Sequence, residues 1–221
     1  MYTYAFLHSD ISHLHLPEGI SGPLRLIGTA HVSALVEPQL DFEALQQSDN
    51  QLMQAVLAHD RVIRDIFRQT EILPLRFGTC FVSQDGLLEH LQSRSSDYLV
   101  KLAQLAGKAE YTLKFTPIDL PEPAISSDAK GKEYFLAKKQ RYQTQLEQQQ
   151  LRSLELDQVK EAIAQLYPYA ITSSGEGIER IHLLVSRQDE PVLSQQVQTW
   201  QLNCSHWEVI PGEALPPYHF V

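Results

Sequence analysis

The sequence predicts an α+β fold in two domains, a mixed α+β domain over residues 1–107 and a ferredoxin-like domain over residues 108–221 that includes the C-terminal tail. Three observations lead there. Strand-like and helix-like periodicities alternate along all 221 residues. A Gly at position 107 closes one helical stretch just before a new strand pattern begins. The elements after it read β-α-β-β-α-β, the order of a ferredoxin-like domain.

Tyr2 to His8, YTYAFLH, has the aromatic content of a buried strand, and the Pro/Gly/Ser-marked stretch from Pro17 to Pro23 breaks it. Leu24 to Val36 is a second extended stretch with a kink expected at Gly28, ended by Pro38. Asp41 can cap the next helix. From Phe42 to Gln69, Leu45, Leu52, Val56, Ile63 and Phe67 recur at helical spacing, which predicts an amphipathic helix or a helix pair. Ile72 to Val82 returns to strand chemistry. Ser83 to Ala106 returns to helix, with Leu87, Leu91, Tyr98, Leu102 and Leu105 as its apolar stripe.

In the second domain, Tyr111 to Phe115 alternates as a strand and Pro117 to Pro123 loosens the chain. A long helical segment from about Lys132 to Tyr167 is expected to break near Arg152 to Asp157. Strand Tyr169 to Ser173, a turn at Ser174 to Gly177, strand Ile178 to Ser186, helix Pro191 to Leu202 and strand Trp207 to Ile210 complete the order.

Composition narrows the function. A hydrophobic content of 43% can build cores, and a net charge of −9 disfavours general nucleic-acid or anionic-membrane binding. No run approaches the roughly 18 apolar residues of a membrane span, and the start MYTYAFLHSD is not a signal peptide, so a soluble cytoplasmic protein is expected. Cys80 and Cys204 are isolated and expected to be reduced.

No catalytic, metal or cofactor site is predicted. His8, Asp10, His13 and His15 are the densest of the nine histidines' surroundings, yet the i, i+2 spacing matches no zinc signature and reads as a solvated loop. Phosphate-binding glycine motifs and a nucleophile elbow are missing from the sequence. Lys130, Lys132, Lys138, Lys139 and Arg141, with Tyr134, Phe135 and Tyr142 among them, suggest RNA at first sight. Ile178 to Ser186, IERIHLLVS, lacks the base-stacking octamer of RNA-recognition domains, so the lysines read as a solvated helix face.

Two segments stand out. In Ile72 to Phe81, ILPLRFGTCF, period-two alternation puts Leu73, Leu75, Phe77, Thr79 and Phe81 on a core face and Ile72, Pro74, Arg76, Gly78 and Cys80 on the other. Pro74 marks an edge strand or a strand start. Arg76 is expected to meet Glu71 or Glu110 internally, or an acidic or carbonyl group of a partner. The C-terminus ALPPYHFV is stiff at its prolines and aromatic beyond them, so it should dock across the domain junction or on a partner. Arg76, Gly78, Tyr218 and Phe220 are therefore the candidate protein-binding or domain-junction residues.

At these residues the sequence resembles the gas vesicle protein F and L family over its full length. LPLRFGT at Leu73 to Thr79, the Tyr-rich opening Tyr2 to Leu7 and PPYHF at Pro216 to Phe220 carry the likeness, supported by Gly107 to Glu110 and Gly131 to Lys138. One departure is Ala214-Leu215, where the family often carries a Gly and a Trp. The resemblance, closest to the F members, implies two α+β domains and a non-enzymatic accessory protein of gas vesicles. It also implies that such a protein is needed for shell assembly and contacts the small hydrophobic main shell protein and other gas vesicle accessory proteins, without nucleic acid, lipid membrane or cofactor. The alternative from another class is a small-molecule or RNA-binding module built on the ferredoxin-like sheet.

Overall fold

The computed structural model describes residues 1–11, 13–118, 130–174 and 177–221. It divides into two compact units, the first formed by Met1–Glu110 with Ala214–Val221 and the second by Tyr111–Glu213. The tail, placed with the second domain by the sequence reading, thus clusters with the first unit.

In the first unit, strands β1 (Tyr2–His8), β2 (Arg25–Gly28), β3 (Val32–Glu37) and the short β4 (Leu73–Pro74) form a sheet in the order β2-β3-β1-β4. All three pairings are antiparallel. The extended stretch expected from Leu24 to Val36 is a hairpin, because the chain reverses after Gly28, which pairs with Ser33. β1 is buried along most of its length because its side chains are covered from outside the sheet, Tyr2 and Tyr4 by His59 and Phe6 by His90 and Tyr98, so its aromatic run suits its place.

Helices α1 (Phe42–Leu45) and α2 (Asp49–Phe67) form a pair, the second of the two arrangements the spacing allowed, and the Asp41 side chain accepts from Ala44 N–H at 3.1 Å as the cap of α1. α2 buries Ala55, His59, Val62, Ile63, Ile66 and Phe67. The single helix expected from Ser83 is two, α3 (Gln84–Ser93) and α4 (Ser95–Leu105), interrupted at Arg94. Gly107 follows with φ +68°, a conformation that a side chain disfavours.

The second unit contains β5 (Lys108–Pro117, from Tyr111), α5 (Lys132–Ala164), β6 (Tyr169–Ser174), β7 (Ile178–Ser186), α6 (Glu190–Asn203) and β8 (Trp207–Leu215, to Glu213). Their sheet runs β6-β7-β5-β8, and the element order is ferredoxin-like. Leu156, Val159 and Ile163 of α5 and Leu193, Val197 and Trp200 of α6 are buried with Leu113, Phe115, Ile181 and Leu183 of the strands. α5 runs unbroken for 33 residues, so the break expected near Arg152 to Asp157 does not form. There Arg152 donates to the Ile118 carbonyl, its own carbonyl accepts from Trp207 Nε1 at 2.9 Å, and Glu155 is bonded to Ser205 and His206. The expected loop from Pro117 to Pro123 and the turn at Ser174 to Gly177 fall largely outside the described residues.

Candidate functional site

The segment after α2 does not continue as one strand. Leu73 and Pro74 pair with Phe6 and Ala5, and Leu75 N–H donates to the Tyr4 carbonyl at 2.8 Å. The chain then loops out and rejoins β1, with Thr3 N–H donating to the Thr79 carbonyl at 2.9 Å and Phe81 N–H to the Met1 carbonyl at 2.9 Å. A turn spans Arg76 to Thr79, closed by Thr79 N–H and Oγ1 donating to the Arg76 carbonyl at 3.1 and 2.7 Å. Gly78 makes that turn possible. Its φ is +89°, and a Cβ there would sit 3.2 Å from Phe42 Cζ.

This turn corrects the expected two faces. Ile72 and Pro74, on the face opposite the expected core, are buried, while Leu75, Phe77, Thr79 and Phe81, expected in the core, are only half-buried. The alternation fails because the turn resets the strand's period. β4 is nevertheless an edge strand, where the missing Pro74 N–H costs no ladder bond.

Inside the turn sits an aromatic and histidine cluster. The Phe77 ring meets Tyr2, Phe42 and His59 edge-on at centroid distances of 6.0, 5.3 and 5.6 Å. His59 Nε2 lies 3.1 Å from the Leu75 carbonyl, which can only accept, so this nitrogen carries the proton and Nδ1 accepts from Tyr2 O–H at 2.8 Å. Burial holds the His59 imidazole below its ordinary pKa range, although the Leu75 carbonyl and Asp60 oppose the shift. Burial also raises the Tyr2 phenol well above its usual range. The cluster is a neutral hydrogen-bonded wedge.

Arg76 points away from that wedge. It is exposed, and its side chain makes no hydrogen bond or ion pair among the described residues. The two internal partners considered for it are engaged elsewhere, since Glu71 Oε1 accepts from Gly107 N–H at 3.3 Å and Glu110 accepts from His219.

The tail is held in the first unit. Pro216 and Pro217 are buried, Tyr218 O–H donates to Asp60 Oδ1 at 2.6 Å, and His219 approaches buried Glu110 through its backbone N–H at 2.9 Å and Nδ1 at 2.7 Å. Phe220 is half-buried in a turn with its N–H on the Pro217 carbonyl. The structure thus places Arg76 and Gly78 on one turn and Tyr218 and Phe220 on a separate clamp.

A third feature escaped the sequence reading. Met53, Val56 and Leu57 stand on the outer side of α2, and Met53 and Leu57 are 60% and 57% exposed. Val56, expected in the core, is exposed as well. Helical spacing i, i+3, i+4 makes the three one apolar strip. The signal was present as two overlapping stripes in one helix, of which only one can face the core.

The buried acids are consumed by the protein's own donors. Glu37 accepts from Tyr4 O–H at 2.5 Å and Ile20 N–H at 2.8 Å on one oxygen, and from Ser21 N–H and Oγ at 2.8 and 3.0 Å on the other. That fills a carboxylate's four acceptor sites. Within each unit taken by itself, no three His, Cys, Asp or Glu side chains reach metal-ligand spacing among the described residues. His8, Asp10, His13 and His15 do not converge.

The fold and these clusters define a class, a two-unit α+β protein whose second unit is ferredoxin-like and whose buried Glu37, Glu110 and His59 are bonded within the first unit. The chain belongs to the gas vesicle synthesis protein GvpL/GvpF family, which it matches over residues 1–221. Among characterised sequences it is 32% identical over 120 residues to gas vesicle protein F of Streptomyces sp. (strain CB03234), a match taking in 52% of this chain and 48% of that one. The crystal structure of GvpF from Anabaena sp. PCC7120 superposes with a TM-score of 0.68 at 16% identity, covering 99% of this chain and 94% of the other. That of GvpF from Microcystis aeruginosa gives 0.64 at 16% identity, covering 99% and 97%. Both structural likenesses speak to the fold.

Proposed function

We propose that this chain is a non-enzymatic accessory protein needed for gas vesicle assembly, which binds the small hydrophobic main shell protein in the cytoplasm and limits its aggregation before the wall takes it up. The observation that carries the reading is the Met53, Val56, Leu57 strip. Three large apolar side chains exposed on a helix that otherwise buries its inner face suit a partner whose own apolar surface needs cover. Arg76 adds an exposed guanidinium with no hydrogen bond or ion pair among the described residues, on the turn next to Phe77, which can take a carboxylate or carbonyl of the bound chain. The net charge of −9 would keep the complex soluble. Tyr218 and Phe220 serve in this reading to close the first unit, and other gas vesicle accessory proteins are further partners.

The test measures how much purified main shell protein stays in the supernatant with the full chain present, and how much is co-captured, with total RNA as competitor. Met53→Glu with Leu57→Glu should weaken capture by at least about tenfold, since two apolar side chains lose their buried area. Arg76→Ala should weaken it less. Unchanged capture by the Met53, Leu57 variant, or full displacement by RNA, would overturn the placement.

A further inference from the structure

The N-terminal half of α5 is a helix without a core. Leu156, Val159 and Ile163 are the buried residues of α5, so from Lys132 to Leu151 nothing is buried. Yet this half carries large apolar side chains in water, with Phe135 67%, Tyr142 61% and Leu146 40% exposed. These three recur at i, i+7 and i+11, the spacing of one helix face. Ala137, Thr144 and Gln148, each two positions further on and therefore on the opposite face, are the half-covered ones. The apolar line thus faces solvent.

Read as heptads, the line is a seam. Lys132 and Lys139 take a positions, Phe135 and Tyr142 take d positions, and Leu146 takes the next a. Lys138 flanks it at g, and none of Lys132, Lys138 and Lys139 makes an ion pair among the described residues. From Lys130 to Leu151 there are five cations (Lys130, Lys132, Lys138, Lys139, Arg141) against two acids (Glu133, Glu147), in a chain of net charge −9. Cations near a helix N-terminus oppose its dipole, and Gly131 supplies no side-chain cap. Nothing in this half's own chemistry accounts for the placement of its apolar and cationic side chains.

We propose that residues 132–146 form a docking helix for an acidic amphipathic helix of a partner protein, packed on Phe135, Tyr142 and Leu146, with carboxylates meeting Lys132, Lys138 and Lys139. A second copy of the chain fits badly. Paired in parallel it sets lysine against lysine at both a positions, and paired antiparallel it lays the same basic stretch on itself. RNA or an anionic bilayer would meet the repulsive field of the acidic remainder, which a short acidic helix largely escapes. The site belongs to the second unit and is independent of the α2 strip.

Binding of the full chain to a labelled synthetic peptide of about three heptads, with Leu at a and d and Glu at e and g, tests this by fluorescence anisotropy. Lys132→Glu, Lys138→Glu and Lys139→Glu together should weaken it at least about tenfold, as should Phe135→Ala with Leu146→Ala. Lys132→Glu puts an acid in the first turn, where the dipole favours it, and at positions 138 and 139 Glu is as good a helix former as Lys, so far-UV circular dichroism should stay unchanged. A charge-matched set elsewhere, Arg25→Glu, Arg94→Glu and Lys101→Glu, should leave binding within about twofold. No binding, equal loss in the charge-matched set, tighter binding of poly(U) or phosphatidylserine vesicles through the same lysines, or self-association through the seam would each overturn the proposal.

Discussion

Glu37 in the first unit is buried and accepts four hydrogen bonds, whereas Lys138 and Lys139 in the N-terminal half of α5 stand in water with no ion pair among the described residues. Both regions place charge next to aromatic rings. The difference is closure. Around Glu37 the phenol of Tyr4, the backbone of Ile20 and Ser21 and the Ser21 hydroxyl satisfy the carboxylate, and burial together with that carboxylate raises the Tyr4 phenol far above its usual range. Around Lys138, Tyr134 and Tyr142 are exposed and the cationic head remains available. A satisfied polar cluster specifies a fold, and an unsatisfied exposed one offers a surface.

Breaking the closed region should have the largest effect. Glu37→Ala would leave buried donors from Tyr4, Ile20 and Ser21 unanswered, and should cost about 3 kcal/mol or more by chemical denaturation. A loss below about 1 kcal/mol would mean that water replaces the carboxylate, and the region would not be closed in the sense argued.

Much of the architecture was legible because it rests on local periodicity. The Asp41 cap, the helix pair after it, the Gly107 terminator and the β-α-β-β-α-β order all follow from spacing within a few residues. Closure was not legible. Tyr2 meets His59 across 57 residues, Tyr4 meets Glu37 across 33 and His219 meets Glu110 across 109, and no short-range pattern announces such pairs. The Arg76 to Thr79 turn was hidden for a different reason. LRFGTCF alternates plausibly as a strand, and only the positive φ at Gly78 shows that the period restarts. In the exposed half of α5 the lysines alone suggest a solvated face, and its apolar seam stands out only against the burial that begins at Leu156.

The His59 wedge sharpens the comparison through pH. Its imidazole is held neutral by burial, so its folded pKa lies below the unfolded value of about 6.5. The unfolded state therefore binds the extra proton first. The contribution is complete above that pH and is lost as pH falls through the window, by at most about 1.4 kcal/mol per pH unit for one proton. Glu155 titrates lower. Burial would raise its carboxyl, but hydrogen bonds from His206 and Ser205 outweigh that and hold it below the ordinary carboxylate range, so its contribution fades only in more acidic solution. Stability of the wild type measured against His59→Gln between about pH 7 and 5 should isolate the first effect, with the variant showing the flatter curve. Parallel curves would show that His59 accepts its proton in the folded state without penalty.

The smallest expected effect is the most discriminating, because it falls within one helix. Phe135→Ala removes a larger side chain than Leu156→Ala, so a ranking by size alone puts it first. Burial reverses the order. Leu156 is packed among the second unit's core residues and its truncation should cost about 2–3 kcal/mol, while Phe135 is 67% exposed and its truncation should change stability by less than about 0.5 kcal/mol. The same Phe135→Ala protein should bind the acidic heptad peptide more weakly than the wild type. A side chain that can be removed without loss of stability but not without loss of binding belongs to a surface that serves a partner. If Phe135→Ala instead destabilised the chain as much as Leu156→Ala, the N-terminal half of α5 would be packed in solution and the contrast between the two regions would disappear.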